Sequence, residues 1–228
     1  MRGALVLCSG GIDSVVTAYR IKRKDNYEDV TLLFFDYGQN GQNRELDCVK
    51  YHARQLACAL KIVKIAIESD SLIHSNANKF DSVRKEQLKD TRSISGQWYV
   101  PCRNLLFSAY ALSIAEKDFL ATQKVKDIFV GFGVEGRDSY PDAGRIFIKD
   151  INSISKDICA KAFVMRAPFI MSNKEDIISV GAGLGVNFAK TWSCYSGGEK
   201  HCGTCLACAL RKHGFYWANI SDPTLYAA

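Results

Sequence analysis

The turn Ser9-Gly10-Gly11-Ile12-Asp13-Ser14 constrains this chain more than any other stretch. An apolar run over residues 4–8 precedes it, and Val15, Val16, Ala18, Tyr19 and Ile21 beyond it share one helix face. A continuous apolar run stopped by glycines reads as a buried parallel strand, and the 3.6-residue period as a helix packed on it. Adjacent glycines allow positive φ and a close approach of the backbone to an anion. Successive N–H groups in such a turn form an anion nest, reinforced by the positive end of the following helix. Ser9 and Ser14 can donate to phosphate oxygens, while Asp13 suits either a hydrogen bond within the loop or Mg²⁺. Taken alone, the pattern is also compatible with a plain strand–helix turn. Walker A and GxGxxG patterns are absent, which argues against P-loop NTPases and dinucleotide enzymes.

The same alternation continues along the chain. Further strands are expected at 30–35, 61–67, 127–133 and 163–168, and helices at 14–24, 44–60, 103–117, 147–161, 173–185 and 206–218. Asn173 before Lys174-Glu175-Asp176 reads as a helix start with acidic residues in its first turn. Strands alternating with helices imply an α/β fold around a parallel sheet. Ligands on such sheets collect at the carboxyl ends of strands, here the 9–14 turn, Asp36-Tyr37-Gly38 and the glycines around Gly131. The polar, weakly periodic stretch 68–98 is expected to be an insertion or a lid.

Composition narrows the function classes. A chain of 228 residues with 47% hydrophobic and 24% charged residues suits one compact unit. No apolar stretch approaches the roughly 18 residues that span a bilayer, so no membrane partner is expected. The opening apolar run is too short for an export signal, and a cytoplasmic location is the expectation. The net charge of +6 and pI near 8.8 suit an anionic ligand such as a nucleotide. They fall short of a dedicated nucleic-acid surface.

Nine cysteines divide into two sets. Cys8, Cys48, Cys58, Cys102 and Cys159 stand singly and are expected to act as small apolar residues. Cys194, Cys202, Cys205 and Cys208 fall within fifteen residues. An odd total without an export signal argues against a disulfide framework. Four thiolates complete a tetrahedral shell, with CxxC turns donating N–H groups to sulfur, so a structural Zn²⁺ is expected. An iron–sulfur cluster is the rival, because CxxCxxC also serves there. His201 is either a competing ligand or a loop histidine beside the site.

Residues 9–14 after the first strand resemble the pyrophosphate loop of N-type ATP pyrophosphatases, which cleave ATP to AMP and pyrophosphate. Thr191-Trp192-Ser193-Cys194-Tyr195, Gly197-Gly198-Glu199-Lys200, the cysteine triplet with Leu210-Arg211, Gly214-Phe215 and Asp222-Pro223-Thr224 resemble the zinc end of 7-cyano-7-deazaguanine synthases. Upstream, Phe35-Asp36-Tyr37-Gly38-Gln39, Val100-Pro101, Arg103-Asn104-Leu105-Leu106-Phe107 and Tyr140-Pro141-Asp142 match the same family. The resemblance thus runs in order from about residue 4 to 226. It implies a Rossmann-like five-stranded parallel sheet with flanking helices over residues 1–190. Residues 191–228 would form a zinc-binding segment packed on the same domain, commonly within a homodimer.

The resemblance also implies a carbon–nitrogen ligase using ATP, Mg²⁺ and Zn²⁺. The carboxylate of 7-carboxy-7-deazaguanine is adenylated and amidated with ammonia, and a second ATP converts the amide to a nitrile. A free carboxylate is a poor electrophile because oxide would have to leave; AMP leaves far more readily. By resemblance, Ser9, Asp13, Ser14 and Arg103 would be catalytic. Leu7, Cys8, Gly10, Gly11, Asp36, Tyr37 and Asn104 would join Ser9, Asp13 and Ser14 around ATP. Gln39, Arg103, Gly131, Tyr140 and Asp142 would bind the acid. For Asn104 the alternative is a helix cap, for Arg103 a surface ion pair, and for Lys190 either a phosphate contact or a solvated side chain.

Two stretches depart from the family pattern. After Gln39, where Arg-His and a nearby Glu are usual, the chain reads Asn40-Gly41-Gln42-Asn43-Arg44-Glu45. After Asp142 it reads Ala143-Gly144-Arg145-Ile146-Phe147, with no acid to meet the donor edge of a guanine-like base, and Leu206 stands where Asp is common. Such changes also suit a relative that joins the deazaguanine to the amino terminus of a partner protein in antiviral defence. Further rivals are a tRNA-modifying pyrophosphatase and a non-catalytic zinc-containing interaction module.

Overall fold

The computed structural model describes residues 3–67, 83, 87–88 and 91–227. Five parallel strands form one sheet: β1 (Gly3–Leu7), β2 (Asp29–Asp36), β3 (Ala59–Lys64), β4 (Lys126–Phe129) and β5 (Met165–Arg166), in the order β3-β2-β1-β4-β5. Strand periodicity sorts the core into two layers. Ala4 and Val6 of β1 join Val30, Leu32 and Phe34 of β2 on one face. Leu5, Leu33 and Phe35 lie on the other. Both faces are apolar because helices cover both, as parallel sheets require.

Eight α-helices accompany the sheet among the described residues: α1 (Ile12–Tyr19), α2 (Gln42–Gln55), α3 (Arg92–Ser95), α4 (Arg103–Thr122), α5 (Val134–Ser139), α6 (Arg145–Ile158), α7 (Lys174–Gly183) and α8 (Leu206–Trp217). Buried residues of α1, α2, α7 and α8 pack on the first face, and those of α4 and α6 on the second. None of these helices is long and apolar enough to cross a membrane.

Most elements stand where periodicity places them, and the differences have local causes. The expected helix 14–24 is α1 followed by one π-helical turn, Arg20–Lys24. That wider turn keeps Ile21 fully buried while its basic neighbours reach towards solvent. The helix expected over 44–60 stops at Gln55, and β3 begins two residues earlier than expected. Here Ala57 adopts φ +48, with its N–H bonded to the Arg54 carbonyl and that of Cys58 to Ala53. This is a Schellman end with alanine in the place where glycine usually signals it. β4 and β5 are shorter than expected, although Val130 N–H still reaches Arg166 O at 3.0 Å. Much of the polar stretch 68–98, read as a lid or insertion, lies outside the described residues.

Strand order reverses direction between β1 and β4, so the two loops leaving their carboxyl ends diverge and open a crevice. The chain's last third closes over one side of it. Phe215 of α8 packs edge-on against Phe188 at 5.2 Å, and Arg211, 1% exposed, ties the segments together. Its guanidinium donates to Thr191 Oγ1, Ser193 Oγ and the Phe188 carbonyl, and meets Asp222 Oδ1 at 3.2 Å.

Candidate active site

At the switch point lies a cleft of about 370 Å³. The turn between β1 and α1 forms its floor. Gly10 takes φ +81, and a Cβ there would stand 2.6 Å from the Glu45 carbonyl, so only glycine permits this approach of α2. Ser14 Oγ accepts the Ser9 N–H at 3.1 Å and donates to the Gly11 carbonyl at 3.1 Å. The Ser9 hydroxyl lies 3.2 Å from it and accepts the Gly11 N–H. Both serines therefore shape the loop before any ligand arrives. The first N–H groups of α1 have no intrahelical partner, and Ile12, Asp13 and Ser14 line the cleft.

Asp13 is held from outside its own turn rather than by a hydrogen bond within it. Its carboxylate oxygens accept Lys174 Nζ at 2.7 and 2.6 Å. Burial alone would lower the Lys174 pKa, but Asp13 and Glu135 raise it, so the lysine stays charged beside the loop. Lys174 was not anticipated from the sequence. The signal was there: it is the first residue of α7, and helix starts in this topology lie at the same edge as strand ends. Gly131 supplies the close approach of the opposite loop, since a Cβ would fall 2.7 Å from Ser14 N.

The other side of the cleft is aromatic and cationic. Phe35 and Phe107 stack with centroids 4.2 Å apart, Tyr99 and Tyr140 stack at 6.0 Å, and Trp98 meets Tyr195 at 4.9 Å. Among these rings lies Arg103, which is no surface ion pair. Its Nη1 donates to the Tyr37 hydroxyl at 3.3 Å, and its buried Nε has no partner among the described residues. Asn104 is no helix cap either, because Cys102 holds that position in a left-handed conformation. Instead the Asp142 carboxylate accepts the Asn104 N–H at 3.0 Å, and the Asn104 side chain returns a bond to the Asp142 carbonyl. Gln39 accepts the Tyr37 N–H and donates to the Phe35 carbonyl and to Glu45 Oε2.

The cleft thus gathers the expected site residues except Gly10 and Asp36, which lie behind its lining. Gly10 O accepts the Trp192 N–H, and Asp36 Oδ1 accepts the Gly38 N–H. Of the departures, Asn40, Gly41 and Glu45 line the cleft. Ile146 is 76% exposed, and Leu206 is buried at the start of α8. Lys190 is exposed, with its ammonium 5.9 Å over the Tyr51 ring. Cys102 is exposed rather than apolar filling, whereas Cys8 is buried and its thiol is pushed up to about 11 by burial.

Beside the cleft, the Sγ atoms of Cys194, Cys202, Cys205 and Cys208 lie within 4.8 Å of one another and can hold a metal ion. Cys202 N–H and Ser196 N–H point to Cys194 Sγ, and Cys205 N–H and Thr204 N–H to Cys202 Sγ. Cys202 and Cys208 sulfurs are 3.9 Å apart. Four metal–sulfur bonds of about 2.3 Å at tetrahedral angles require a separation of about 3.8 Å, so the donor set fits one ion. His201 is a loop residue beside the cluster: its Nε2 accepts the Ser193 N–H at 3.1 Å.

Among known proteins, the family model described as queuosine biosynthesis protein QueC matches residues 3–219. The 7-cyano-7-deazaguanine synthase of Brucella anthropi is 37% identical over 227 residues, covering 97% of this chain and 92% of that protein. Its namesake in Methanoculleus marisnigri is 32% identical over 228 residues, with 99% of each chain covered. The synthase of Methanothrix thermoacetophila is 33% identical over 241 aligned positions, again covering 99% of both. With this cleft, this cysteine cluster and similarity along nearly the whole length, the chain belongs to the QueC family of queuosine biosynthesis proteins.

Proposed function

We propose that the chain is an ATP-dependent ligase converting 7-carboxy-7-deazaguanine to 7-cyano-7-deazaguanine, with release of AMP and pyrophosphate. The observation that carries this reading is the two-sided cleft. A preshaped loop stands on one side, and a half-buried guanidinium, whose Nε meets no partner among the described residues, stands among aromatic rings on the other. The loop N–H groups and Lys174 suit the phosphates of ATP. Arg103 suits the acid's carboxylate, and the paired rings suit its flat heterocycle. Held in line, the carboxylate oxygen attacks the α-phosphorus, and pyrophosphate leaves towards the loop. Mg²⁺ bound with ATP supplies further charge neutralisation there.

We read the cysteine cluster as a Zn²⁺ site held by Cys194, Cys202, Cys205 and Cys208. Its four sulfurs close the shell, so the ion braces the fold and leaves no open position for substrate. Residues 191–228 then form a segment of the same packing unit, consistent with Phe215 lying in the core layer shared by α1 and α7. A cytoplasmic homodimer completes the reading, supported by Tyr216 and Trp217, exposed at the end of α8.

Mass spectrometry of a reaction containing 7-carboxy-7-deazaguanine, Mg-ATP and ammonium tests this reading. Nitrile with AMP is the expected outcome. A deazaguanine mass added to a protein encoded nearby would replace it with conjugation, and absence of AMP would remove adenylation. Ser14→Ala should lower AMP formation at least about tenfold, because its hydroxyl holds the turn in shape through the Ser9 N–H and the Gly11 carbonyl.

A further inference from the structure

Glu45 occupies the cleft without any task that ATP binding would give it. It stands in the first turn of α2 and lines the same cleft as Arg103. Its Oε2 accepts the Gln39 Nε2–H at 2.9 Å, and Gln39 is pinned by the Tyr37 N–H and the Phe35 carbonyl. Among the described residues it forms no ion pair. The charged or titratable groups that act on it are Arg103, the Tyr37 phenol and the Cys48 thiol. Burial pushes its carboxyl up to about 7, against the opposing pull of Gln39 and Arg103. A group poised near neutral pH is suited to accept a proton and release it again within one turnover.

Building on the acyl-adenylate reading above, we propose that Glu45 is the general base for the nitrogen nucleophile, because Gln39 fixes its carboxylate on the side of the cleft where Arg103 would hold the acyl group. Ammonia is mostly ammonium at neutral pH, and its lone pair is then occupied. Ammonium passes one proton to the Glu45 carboxylate. The freed nitrogen lone pair forms the C–N bond at the acyl carbon, the C–O bond to AMP breaks, and its electron pair leaves on the AMP phosphate. The surplus proton on the new amide nitrogen goes to solvent, and Glu45 then releases its own.

The test compares wild type with Glu45→Gln in two assays using 7-carboxy-7-deazaguanine and Mg-ATP: ATP–pyrophosphate exchange, and amide formation from ammonium. Amidation should fall at least about 100-fold more than exchange, the usual worth of a positioned base. Hydroxylamine, mostly unprotonated at neutral pH, should restore product formation in Glu45→Gln to within about threefold of wild type. In wild type, the ammonium reaction should lose rate below about pH 7 more steeply than exchange does. Equal loss of exchange and amidation, or unchanged amidation, overturns the assignment. If Glu45→Gln does not fold, parallel wild-type pH profiles for the two assays overturn it. Absence of exchange in wild type overturns the adenylation reading itself, and this assignment with it.

Discussion

At the scale of single residues, the environment of a titratable group decides what its identity cannot. His52 is fully buried between Tyr19 and the Lys190 carbonyl. A carbonyl only accepts, so Nε2 carries the proton, and Nδ1 accepts from the Tyr19 hydroxyl. Burial pulls the His52 pKa from its ordinary 6.5 down to about 4. The folded chain therefore binds fewer protons than the unfolded chain across that interval. The stabilising contribution is complete above pH 6.5 and is lost as pH falls towards 4, by up to about 3 kcal/mol. Urea melts at intervals between these limits should show a steeper acid loss for wild type than for His52→Gln; parallel curves would contradict this. Glu45 acts in the opposite sense, since its raised pKa contributes stability at low pH that disappears as pH passes about 7. Neither effect is legible in the sequence, because a lone His or Glu on a helix carries no mark of what packs against it.

At the scale of elements, local signals succeed where the bonds they describe are local. α7 starts at Asn173 with acidic residues in its first turn as expected, and Asn173 and Asp176 close it as a capping box, each side chain bonding the other's end of the turn. The start of α4 fails the same reasoning because its cap comes from Asp142, 38 residues away. The end of α2 is missed because Ala57 stands in a position that favours glycine. A left-handed alanine costs about 1–2 kcal/mol. Ala57→Gly should recover about 1 kcal/mol of this, raising the thermal midpoint by roughly 2–4 °C in a chain of this size. Calorimetry of the purified variant checks it, and an unchanged or lower midpoint would show that the strain is absorbed elsewhere.

At the scale of the whole molecule, the cysteine cluster and Arg211 hold the C-terminal third against the cleft. Arg211 and Asp222 bridge α8 and the terminal tail, while Trp192 N–H bonds the Gly10 carbonyl within the Ser9–Ser14 turn. Removing a structural ion from the cluster should therefore lower the stability of the folded chain more than the chemistry of the molecules that remain folded. Chelation of the zinc-loaded protein is expected to cost about 3 kcal/mol or more, a fall of roughly 6–12 °C in the midpoint. AMP formation per folded molecule should change little. Full retention of the midpoint after metal loss, followed by elemental analysis, would refute the bracing role.

The sequence by itself determined the α/β class, the position of the Ser9–Ser14 turn between the first strand and helix, and the membership of the cysteine cluster. Each of these is written in residues close together along the chain, where spacing translates directly into backbone geometry. Only the tertiary structure decided the pairing of Asp13 with Lys174, the place of Arg103 among the cleft's aromatic rings and the poise of Glu45. These depend on which side chains converge from distant elements, and on how much water their packing excludes. Burial sets the cost of a charge, and burial is a property of the assembled fold.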